Sequence, residues 1–303
     1  MSDLPELFPG FEARRIATQG AEIFARIGGS GPPLLMVHGY PQTHACWHKI
    51  APALAEHFTV VLPDLRGYGA SSCPAPDAEH HAYSKRAMAQ DLAEVMTALG
   101  HERFRLVGHD RGARVSYRLA LDHGERVERL AVLDIVPTGD VWNAFDAADA
   151  RGKFHWSFLA QPAPLPEAMI EANPIVWHEG LIARWCGTGD LSPFSQEALA
   201  HYRASFTEPA RIQAMCEDYR AGATVDHDHD ETDRGAGHKI ACPTLAVWGG
   251  GRTVGIVSGS DPLETWRSWC TDVTGTPLPC GHFLAEELPE ETLAALLPFL
   301  QGA

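Results

Sequence analysis

A strand that turns sharply into a helix constrains the fold of this chain more than any other feature. The apolar run 104–107 is followed by Gly108, Asp110 and Gly112, and then by the helical run 115–121. Two glycines around such a turn allow a strained backbone and let the helix pass close to the strand. The pattern Gly-x-Asp-x-Gly therefore predicts an elbow that lifts the Asp110 carboxylate out of the sheet and into a site.

An aspartate at the tip of such an elbow indicates displacement chemistry rather than acyl transfer. A serine there would attack acyl carbon after deprotonation by a base. A carboxylate is already ionised at neutral pH and is suited to displacing a halide or an epoxide oxygen from saturated carbon. The alternative is an ordinary Gly-Asp turn, and the context in the rest of the chain argues against it.

Length, charge and cysteine content narrow the class of protein. The chain has 303 residues, 45% hydrophobic and 21% charged, which is typical of a globular enzyme with one large domain or a core plus an insertion. A formal net charge of −15 argues against nucleic acids and anionic membranes as partners. Seven scattered cysteines without a Cys-x-x-Cys pair argue against a disulfide framework or a zinc site. Without a signal-peptide pattern or a run that could span a bilayer, we expect a cytoplasmic protein.

Strand and helix patterns alternate on both sides of the elbow. A hairpin is predicted over 11–27, helices over 83–99 and 286–300, and short buried strands at 34–37, 58–62, 104–107, 129–133, 243–249 and 272–278. From 138 to 238 this alternation gives way to helices and loops rich in Trp, Pro, Ala and His. The sequence thus predicts a mostly parallel central sheet with a helical cap inserted after its sixth strand. The core would comprise 1–137 and 239–303, and the cap 138–238.

Three residues follow the chain order nucleophile, acid, histidine that is typical of elbow enzymes. Asp110 is the nucleophile, Asp134 ends a predicted strand, and His282 follows another strand near the C-terminus. A neutral imidazole at His282 would deprotonate the water that hydrolyses the enzyme ester, and a carboxylate would fix its tautomer. The acid has a second candidate position after the strand ending at Gly249, where the first acidic residue is Asp261. Asp134 is favoured because it ends its strand directly.

Backbone and cationic donors surround this predicted centre. The segment His38-Gly39-Tyr40 follows a strand, so the N–H of Tyr40 would join the N–H of Arg111 in an oxyanion hole. Arg111 and Arg114 flank the nucleophile, and a helix returns Arg114 to the face of Asp110. Paired guanidiniums fit a substrate that carries its own carboxylate, while a salt bridge to surface acids is the alternative for Arg114.

The predicted cap contains aromatic and imidazole donors in two segments. These segments are Phe154-His155-Trp156-Ser157 and Glu217-Asp218-Tyr219-Arg220. Indole, phenol and imidazole groups can donate hydrogen bonds to a departing halide in a dry pocket, and fluoride needs them most. Aromatic residues in a helical cap are, however, more often packing residues.

The acidic run Asp226–Glu231 resembles a metal-binding site only in its composition. We expect a solvated loop without a metal there.

Over nearly its whole length the chain resembles the fluoroacetate dehalogenases, a haloacid-specific branch of the α/β-hydrolase superfamily. The resemblance rests on the segments 38–44, 108–118, 133–135, 155–162 and 215–222. The segment 38–44 and the elbow are shared widely in the superfamily, whereas the paired arginines and the cap segments are far more specific to the fluoroacetate dehalogenases. The resemblance implies an α/β-hydrolase fold and hydrolysis of 2-haloacids such as fluoroacetate to 2-hydroxy acids, with inversion.

The same resemblance implies a set of site residues. They are the nucleophile Asp110, the acid Asp134, the base His282, the carboxylate ligands Arg111 and Arg114, and the halide ligands His155, Trp156 and Tyr219. Trp185 is a further candidate for the pocket wall, and Tyr40 stands where these enzymes more usually have Phe. The resemblance also implies an enzyme without cofactor or metal, a small anionic substrate and a homodimer.

Two other functions fit part of the pattern. An epoxide hydrolase would use the same nucleophile and base, and cap tyrosines such as Tyr202 and Tyr219 would activate the epoxide oxygen. A ligand receptor with little turnover on the same fold would return its ligand chemically unchanged. The paired arginines and the His155-Trp156 segment count against the epoxide hydrolase.

Overall fold

A sheet of eight strands organises the computed structural model of the chain, which describes residues 4–251, 255–257 and 259–302. The strands are β1 (Glu12–Ala17), β2 (Glu22–Gly28), β3 (Pro33–Val37), β4 (Thr59–Pro63), β5 (Phe104–His109), β6 (Val127–Leu133), β7 (Thr244–Gly249) and β8 (Val273–Leu278). Their order in the sheet is β1-β2-β4-β3-β5-β6-β7-β8. β2 is antiparallel to both β1 and β4, and all other neighbouring strands are parallel. The predicted hairpin and mostly parallel sheet are confirmed.

Helices follow the strands and also form one long insertion. In the described residues they are α1 (Ala51–Ala55), α2 (Lys85–Ala98), α3 (Arg111–Asp122), α4 (Thr138–Asn143), α5 (Ala147–Gly152), α6 (Phe154–Leu159), α7 (Leu165–Glu171), α8 (Pro174–Trp185), α9 (Gln196–Phe206), α10 (Pro209–Ala223), α11 (Val225–Ala236), α12 (Pro262–Trp269), α13 (Leu284–Glu287) and α14 (Pro289–Gln301). Helices α4 to α11 lie between β6 and β7, so the helical cap follows the sixth strand. None of the helices described is long and apolar enough to cross a membrane.

The register of the parallel strands brings the predicted site loops together. Val37 at the end of β3 pairs with Gly108 in β5, and Leu133 at the end of β6 pairs with His109 and with Val247. Because these strands run in the same direction, the loops that follow them leave the sheet at one edge, where ligands bind in open α/β folds. The central strands are buried on both faces, which explains their continuous apolar sequences.

The turn between β5 and α3 has the strained conformation that its glycines predict. Asp110 has φ 47° and ψ −120°, a region that residues with a side chain rarely adopt. A Cβ atom at Gly112 would lie 2.2 Å from the carbonyl oxygen of His38, and one at Gly108 would lie 2.5 Å from Cα of Ala113. Glycine is therefore required at both positions, because α3 packs directly against β5 and the loop after β3.

The acidic run Asp226–Glu231 is not the solvated loop expected from its composition. It belongs to α11, where Asp226 and Asp230 are buried. Asp226 accepts the backbone N–H of Lys85 at 2.7 Å, and Asp230 accepts the hydroxyl of Tyr117 at 2.7 Å. The prediction was wrong because these carboxylates bind groups on α2 and α3, which lie far away in the sequence.

The C-terminal part differs from its predicted form in one element. The helix predicted over 286–300 is two helices, α13 and α14, which are separated at Leu288. Pro289 begins the second helix, at a position where proline is favoured because no helical N–H bond is lost. In the Gly-rich loop that the sequence places after β7, residues 252–254 and 258 lie outside the described residues.

Candidate active site

Asp110 lies at the N-terminus of α3 with a buried carboxylate whose two oxygens have different neighbours. Oδ2 accepts the backbone N–H of Tyr40 at 2.9 Å, while Oδ1 lies 3.8 Å from Nε2 of His282. Burial alone would raise the pKa of this carboxyl, but the positive charges of His282, Arg111 and Arg114 outweigh burial and lower it. The carboxylate is therefore ionised at neutral pH, which a nucleophile requires.

His282 is held by a carboxylate on one side and faces Asp110 on the other. Its Nδ1 lies 2.5 Å from Oδ2 of Asp134, whose other oxygen accepts the N–H of Gly249 at 2.9 Å. Its Nε2 is buried without a hydrogen-bond partner among the described residues. The 3.8 Å separation from Asp110 is too long for a direct hydrogen bond and suits a bridging water.

The charges next to His282 control its protonation. Burial lowers the pKa of this imidazole, but the hydrogen bond to Asp134 and the charges of Asp134 and Asp110 outweigh burial. The pKa of His282 is consequently raised above its ordinary value of 6.5. An imidazole with this environment accepts a proton readily and keeps the resulting cation beside two carboxylates.

The two candidate acids occupy different environments. Asp134 directly follows β6 with φ 55°, and it is fully buried against His282. Asp261 is exposed and caps α12 by accepting the N–H of Leu263 at 2.9 Å. The geometry therefore favours Asp134 as the partner of the imidazole.

His109, for which the sequence alone indicates no role, supports His282 through the backbone. Its Nε2 donates to the carbonyl oxygen of His282 at 2.8 Å, and the two ring centres are 4.6 Å apart. Burial lowers the pKa of His109 to about 3, so this imidazole is a neutral donor. The backbone N–H of His282 in turn donates to the backbone carbonyl oxygen of Trp185 at 3.0 Å. A histidine directly before the nucleophile was the available signal in the sequence.

The two arginines beside the nucleophile have different partners. Nη2 of Arg111 lies 2.6 Å from Oδ1 of Asp218, and its Nε is also hydrogen-bonded to that carboxylate. Nη1 of Arg114 donates to the carbonyl oxygen of Val136 at 2.9 Å and to the hydroxyl of Thr138 at 3.2 Å. Within the described part of the chain, no carboxylate forms an ion pair with Arg114. The surface salt bridge considered for Arg114 is thus not formed with any acidic residue that the structure describes.

Each of the two guanidiniums has one buried N–H donor that lacks an acceptor among the described residues. Nη1 of Arg111 and Nε of Arg114 have no hydrogen-bond partner among the described residues. Unsatisfied buried donors on charged groups are costly, so a ligand that satisfies them gains free energy. The guanidinium carbon of Arg111 lies 4.2 Å from the ring centre of Tyr219, and that of Arg114 lies 4.6 Å from the ring centre of Trp156. These cations therefore border the aromatic part of the site.

Asp218 fixes the guanidinium of Arg111, a role that its place in the segment Glu217-Asp218-Tyr219-Arg220 does not reveal. It is fully buried and accepts the hydroxyl of Tyr68 at 2.7 Å, in addition to the ammonium of Lys85 and the guanidinium of Arg111. Burial would raise the pKa of Asp218, but the charges of Arg111 and Lys85 hold it well below its ordinary value. Arg111 is thus a positioned donor with a compensated charge, whereas no carboxylate in the described part of the chain compensates the charge of Arg114.

The candidate halide ligands from three cap helices form one cluster. His155 and Trp156 belong to α6, Trp185 to α8 and Tyr219 to α10, and all four are buried. The ring centre of His155 lies 4.5 Å from that of Trp185 and 5.7 Å from that of Tyr219. Nδ1 of His155 and Nε1 of Trp185 have no hydrogen-bond partner within the described residues. Burial lowers the pKa of His155 well below its ordinary value, so its imidazole is neutral and can donate one N–H.

The fold and this arrangement of Asp110, His282 and Asp134 define the class of the protein. The chain belongs to the α/β-hydrolase family, whose model, described as the alpha/beta hydrolase fold, matches residues 32–289. Among known structures, a proposed α/β hydrolase from Nostoc sp PCC 7120 matches with a TM-score of 0.93 and 52% identity, covering 97% of this chain and 99% of that one.

Within the family, the chain is similar to two kinds of named enzyme. Fluoroacetate dehalogenase from Burkholderia sp is 43% identical over 298 residues, which cover 98% of this chain and 96% of that protein. Soluble epoxide hydrolase from Corynebacterium sp. (strain C12) is 33% identical over 291 residues, which cover 89% of this chain and 91% of that protein. The predicted hydrolase fold and the resemblance to fluoroacetate dehalogenase are confirmed.

Proposed function

We propose that the protein is a haloacetate dehalogenase, which converts fluoroacetate and related 2-haloacids into 2-hydroxy acids and halide. One observation carries this proposal: the ionised Asp110 lies in a buried site with Arg114, whose guanidinium has no carboxylate partner among the described residues. A nucleophile for saturated carbon beside an open cation suits a small anionic alkyl halide. The identity with fluoroacetate dehalogenase from Burkholderia sp supports the same substrate class.

In the proposed first step, Oδ1 of Asp110 attacks the α-carbon of the haloacid. The carbon–halogen bond breaks, the halide leaves with the bonding electrons, and the configuration at the α-carbon is inverted. Arg111 and Arg114 bind the substrate carboxylate and hold the α-carbon against Asp110, an orientation effect. The N–H and O–H groups of the cap cluster, namely His155, Trp156 and Tyr219 with Trp185 as a further candidate, stabilise the charge that develops on the halogen.

In the proposed second step, water hydrolyses the ester that Asp110 has formed. Nε2 of His282 takes a proton from the water, whose oxygen attacks Cγ of Asp110. The negative charge then develops on Oδ2, which already accepts the N–H of Tyr40, and the N–H of Arg111 is the proposed second donor. The Cγ–Oδ1 bond breaks, and the departing 2-hydroxy acid takes the proton from His282. The second proton of the water remains on the new carboxyl group of Asp110 and passes to solvent when that group ionises again. Asp134 stabilises the imidazolium between these proton transfers.

An epoxide hydrolase is the second candidate, because a soluble epoxide hydrolase is 33% identical to the chain. Such an enzyme would use tyrosine hydroxyls to activate the epoxide oxygen. The hydroxyl of Tyr202 is hydrogen-bonded to Glu286 at 2.9 Å, so it is already engaged, whereas Tyr219 borders Arg111 in the site. A neutral epoxide would also leave Arg114 without an anionic partner. These contacts favour the haloacid.

Fluoride release tests the proposal directly. Wild-type protein and Asp110→Asn are incubated with fluoroacetate, fluoride is followed with an ion-selective electrode, and glycolate is quantified alongside. We expect equal amounts of fluoride and glycolate from the wild type, and loss of activity in the variant because an amide is a far poorer nucleophile. Chloroacetate serves as the parallel substrate. If neither halide is released, the haloacid assignment fails, and hydrolysis of an epoxide or recovery of an unchanged bound ligand would identify the alternative.

We also propose a homodimer in the cytoplasm, with a core of 1–137 and 239–303 and a cap of 138–238. Exposed apolar side chains on α7 and at the start of α8 are the proposed patch for self-association, since burial of apolar surface favours association. It comprises Leu165, Met169, Ile175 and Val176, which are 54%, 59%, 37% and 67% exposed. No cofactor enters the proposed reaction.

A further inference from the structure

Tyr40 connects the nucleophile to the cap through both of its ends. Its backbone N–H donates to Oδ2 of Asp110 at 2.9 Å, and its hydroxyl oxygen accepts the indole N–H of Trp177 at 2.9 Å. Trp177 belongs to α8, whereas Tyr40 follows β3 in the core. Tyr40 is fully buried, and burial raises the pKa of its phenol well above the ordinary value, so the hydroxyl stays neutral.

The ring of Tyr40 also forms part of the wall between the nucleophile and the cap. Its centre lies 5.3 Å from that of Tyr219, 6.1 Å from that of Trp185 and 5.7 Å from that of His178. Two of these three rings belong to the proposed substrate site. The position of α8 relative to Tyr40 therefore determines how much space the site has beside Asp110.

Trp177 transmits the same constraint to the helix that carries two halide-ligand candidates. Its ring centre lies 4.8 Å from that of Phe158 and 5.8 Å from that of Phe154, both on α6. His155 and Trp156 belong to the same short helix. A hydrogen bond that fixes Trp177 therefore restrains α6 as well as α8.

We propose that the hydrogen bond between Tyr40 and Trp177 makes Tyr40 a specificity-determining residue, which restricts the site to acids with a small α-substituent. This proposal rests on the haloacetate dehalogenase function proposed above. Aromatic packing alone tolerates small shifts, whereas a hydrogen bond fixes both distance and direction. Outward movement of α8 would leave the buried hydroxyl of Tyr40 without its partner, and this costs free energy. An acid with a methyl group on its α-carbon needs the volume that such movement would provide.

Two single substitutions and their combination test this proposal. Tyr40→Phe removes one oxygen, and Trp177→Phe removes the donor. We measure kcat/KM for chloroacetate and for 2-chloropropionate, which share one leaving group, and compare the ratio of the two values. The ratio should shift about fivefold toward 2-chloropropionate in either variant, the effect of one neutral hydrogen bond. The double variant should show no further shift, because both changes remove the same bond.

Tyr202→Phe is the matched control for loss of a buried tyrosine hydroxyl between cap and core. Tyr202 on α9 is hydrogen-bonded to Glu286 on α13, and we expect this variant to keep the wild-type ratio. An unchanged ratio in Tyr40→Phe, or additive effects of Tyr40→Phe and Trp177→Phe, would overturn the proposal.

Hydrogen–deuterium exchange separates this proposal from the proposed function. Peptides covering 174–185 should exchange faster in Tyr40→Phe than in the wild type, while peptides covering 85–98 in the core should be unchanged. Unchanged exchange over 174–185 would show that the hydrogen bond does not restrain α8, whatever values of kcat/KM are measured. If the wild type releases no halide from either acid, the proposed function fails and the specificity claim fails with it, but faster exchange would still support the restraint.

Discussion

At the scale of single residues, the separation between His282 and Asp110 divides the proposed reaction into two stages. Nε2 of His282 lies 3.8 Å from the nucleophile and has no hydrogen-bond partner among the described residues. In the proposed reaction the imidazole therefore deprotonates the water and not the carboxylate, because neighbouring positive charges keep that carboxylate ionised despite its burial. Loss of the imidazole should affect the two stages differently.

We predict that His282→Asn forms the ester on Asp110 but hydrolyses it at least 100-fold more slowly, the scale of a lost general base. Incubation with chloroacetate should release about one equivalent of chloride, and intact-mass and peptide analysis should find a carboxymethyl group on Asp110. Asp110→Asn is the control and should carry no adduct. Continued turnover of the His282 variant without an adduct would contradict the division of labour.

The raised pKa of His282 predicts the acid side of the pH profile. The base must be neutral, so kcat should fall as the pH falls through a pKa above the ordinary 6.5. In Asp134→Asn the charge that favours the imidazolium is lost, so the pKa of His282 drops and the acid limb moves to lower pH. The maximal kcat should also drop by roughly 10²–10⁴-fold, since the imidazolium is less stabilised. An acid limb that stays in place would argue against Asp134 as the partner.

The sequence predicted those site residues whose positions follow from strand order. Asp110, Asp134 and His282 each follow a strand in the parallel part of the sheet, so a known topology brings them to one edge. The roles of His109 and Asp218 could not be predicted in this way. His109 contacts a residue 173 positions away, and Asp218 contacts Arg111 from another helix, so both roles depend on three-dimensional packing.

At the scale of elements, the packing of α3 against the loop after β3 controls the geometry of the elbow. A Cβ atom at Gly112 would lie 2.2 Å from the carbonyl oxygen of His38 and 2.4 Å from that of Val37. Both carbonyls belong to the backbone, so the added atom can be accommodated only if the helix or the loop moves. Such movement would also displace the N–H of Tyr40 from Asp110.

We predict that Gly112→Ala lowers the free energy of unfolding by about 1–3 kcal/mol, the usual cost of overpacking, and reduces kcat strongly. Gly180→Ala is the control, because a Cβ atom at Gly180 in α8 has no neighbour within 4 Å. That change should stabilise the protein by about 0.5–1 kcal/mol through helix propensity. Urea unfolding measures both values, and equal stability of the two variants would refute the packing argument.

The sheet was more predictable than the cap for a physical reason. Buried parallel strands leave continuous apolar runs in the sequence, whereas the polar face of α11 holds carboxylates that bind partners elsewhere. Arg118 on α3 forms ion pairs with Asp233 at 2.6 Å and with Asp230 at 3.3 Å. An acidic run with buried cationic partners cannot be distinguished by composition from an acidic run in water.

At the scale of the whole molecule, the net charge of −15 opposes the approach of an anionic substrate. The attraction must then be local, and in the proposed site it comes from Arg114, while the charge of Arg111 is compensated by Asp218.

The same overall charge makes copies of the protein repel each other unless an apolar surface outweighs the repulsion. The patch on α7 and α8 is the candidate for such a surface.

We predict that Val176→Glu shifts the proposed homodimer toward monomer by at least tenfold in dissociation constant, because it places a charge in an apolar interface. Gln301→Glu adds the same charge at an exposed position in α14 and should leave the association unchanged. Sedimentation equilibrium measures the dissociation constants. A dimer that is unaffected by Val176→Glu would place the interface on another surface.

The hydrogen bond from Tyr40 to only one oxygen of Asp110 has a consequence for the origin of the product's atoms. If Oδ2 stays in the oxyanion hole, the oxygen that bonds to substrate carbon is Oδ1, and it leaves with the product. The oxygen of the attacking water then remains in the side chain. A first turnover in water that carries a heavy oxygen isotope would thus label the carboxylate of Asp110 and leave the product unlabelled. In the proposed reaction, the enzyme therefore replaces one oxygen of its nucleophile with an oxygen from the solvent in every cycle.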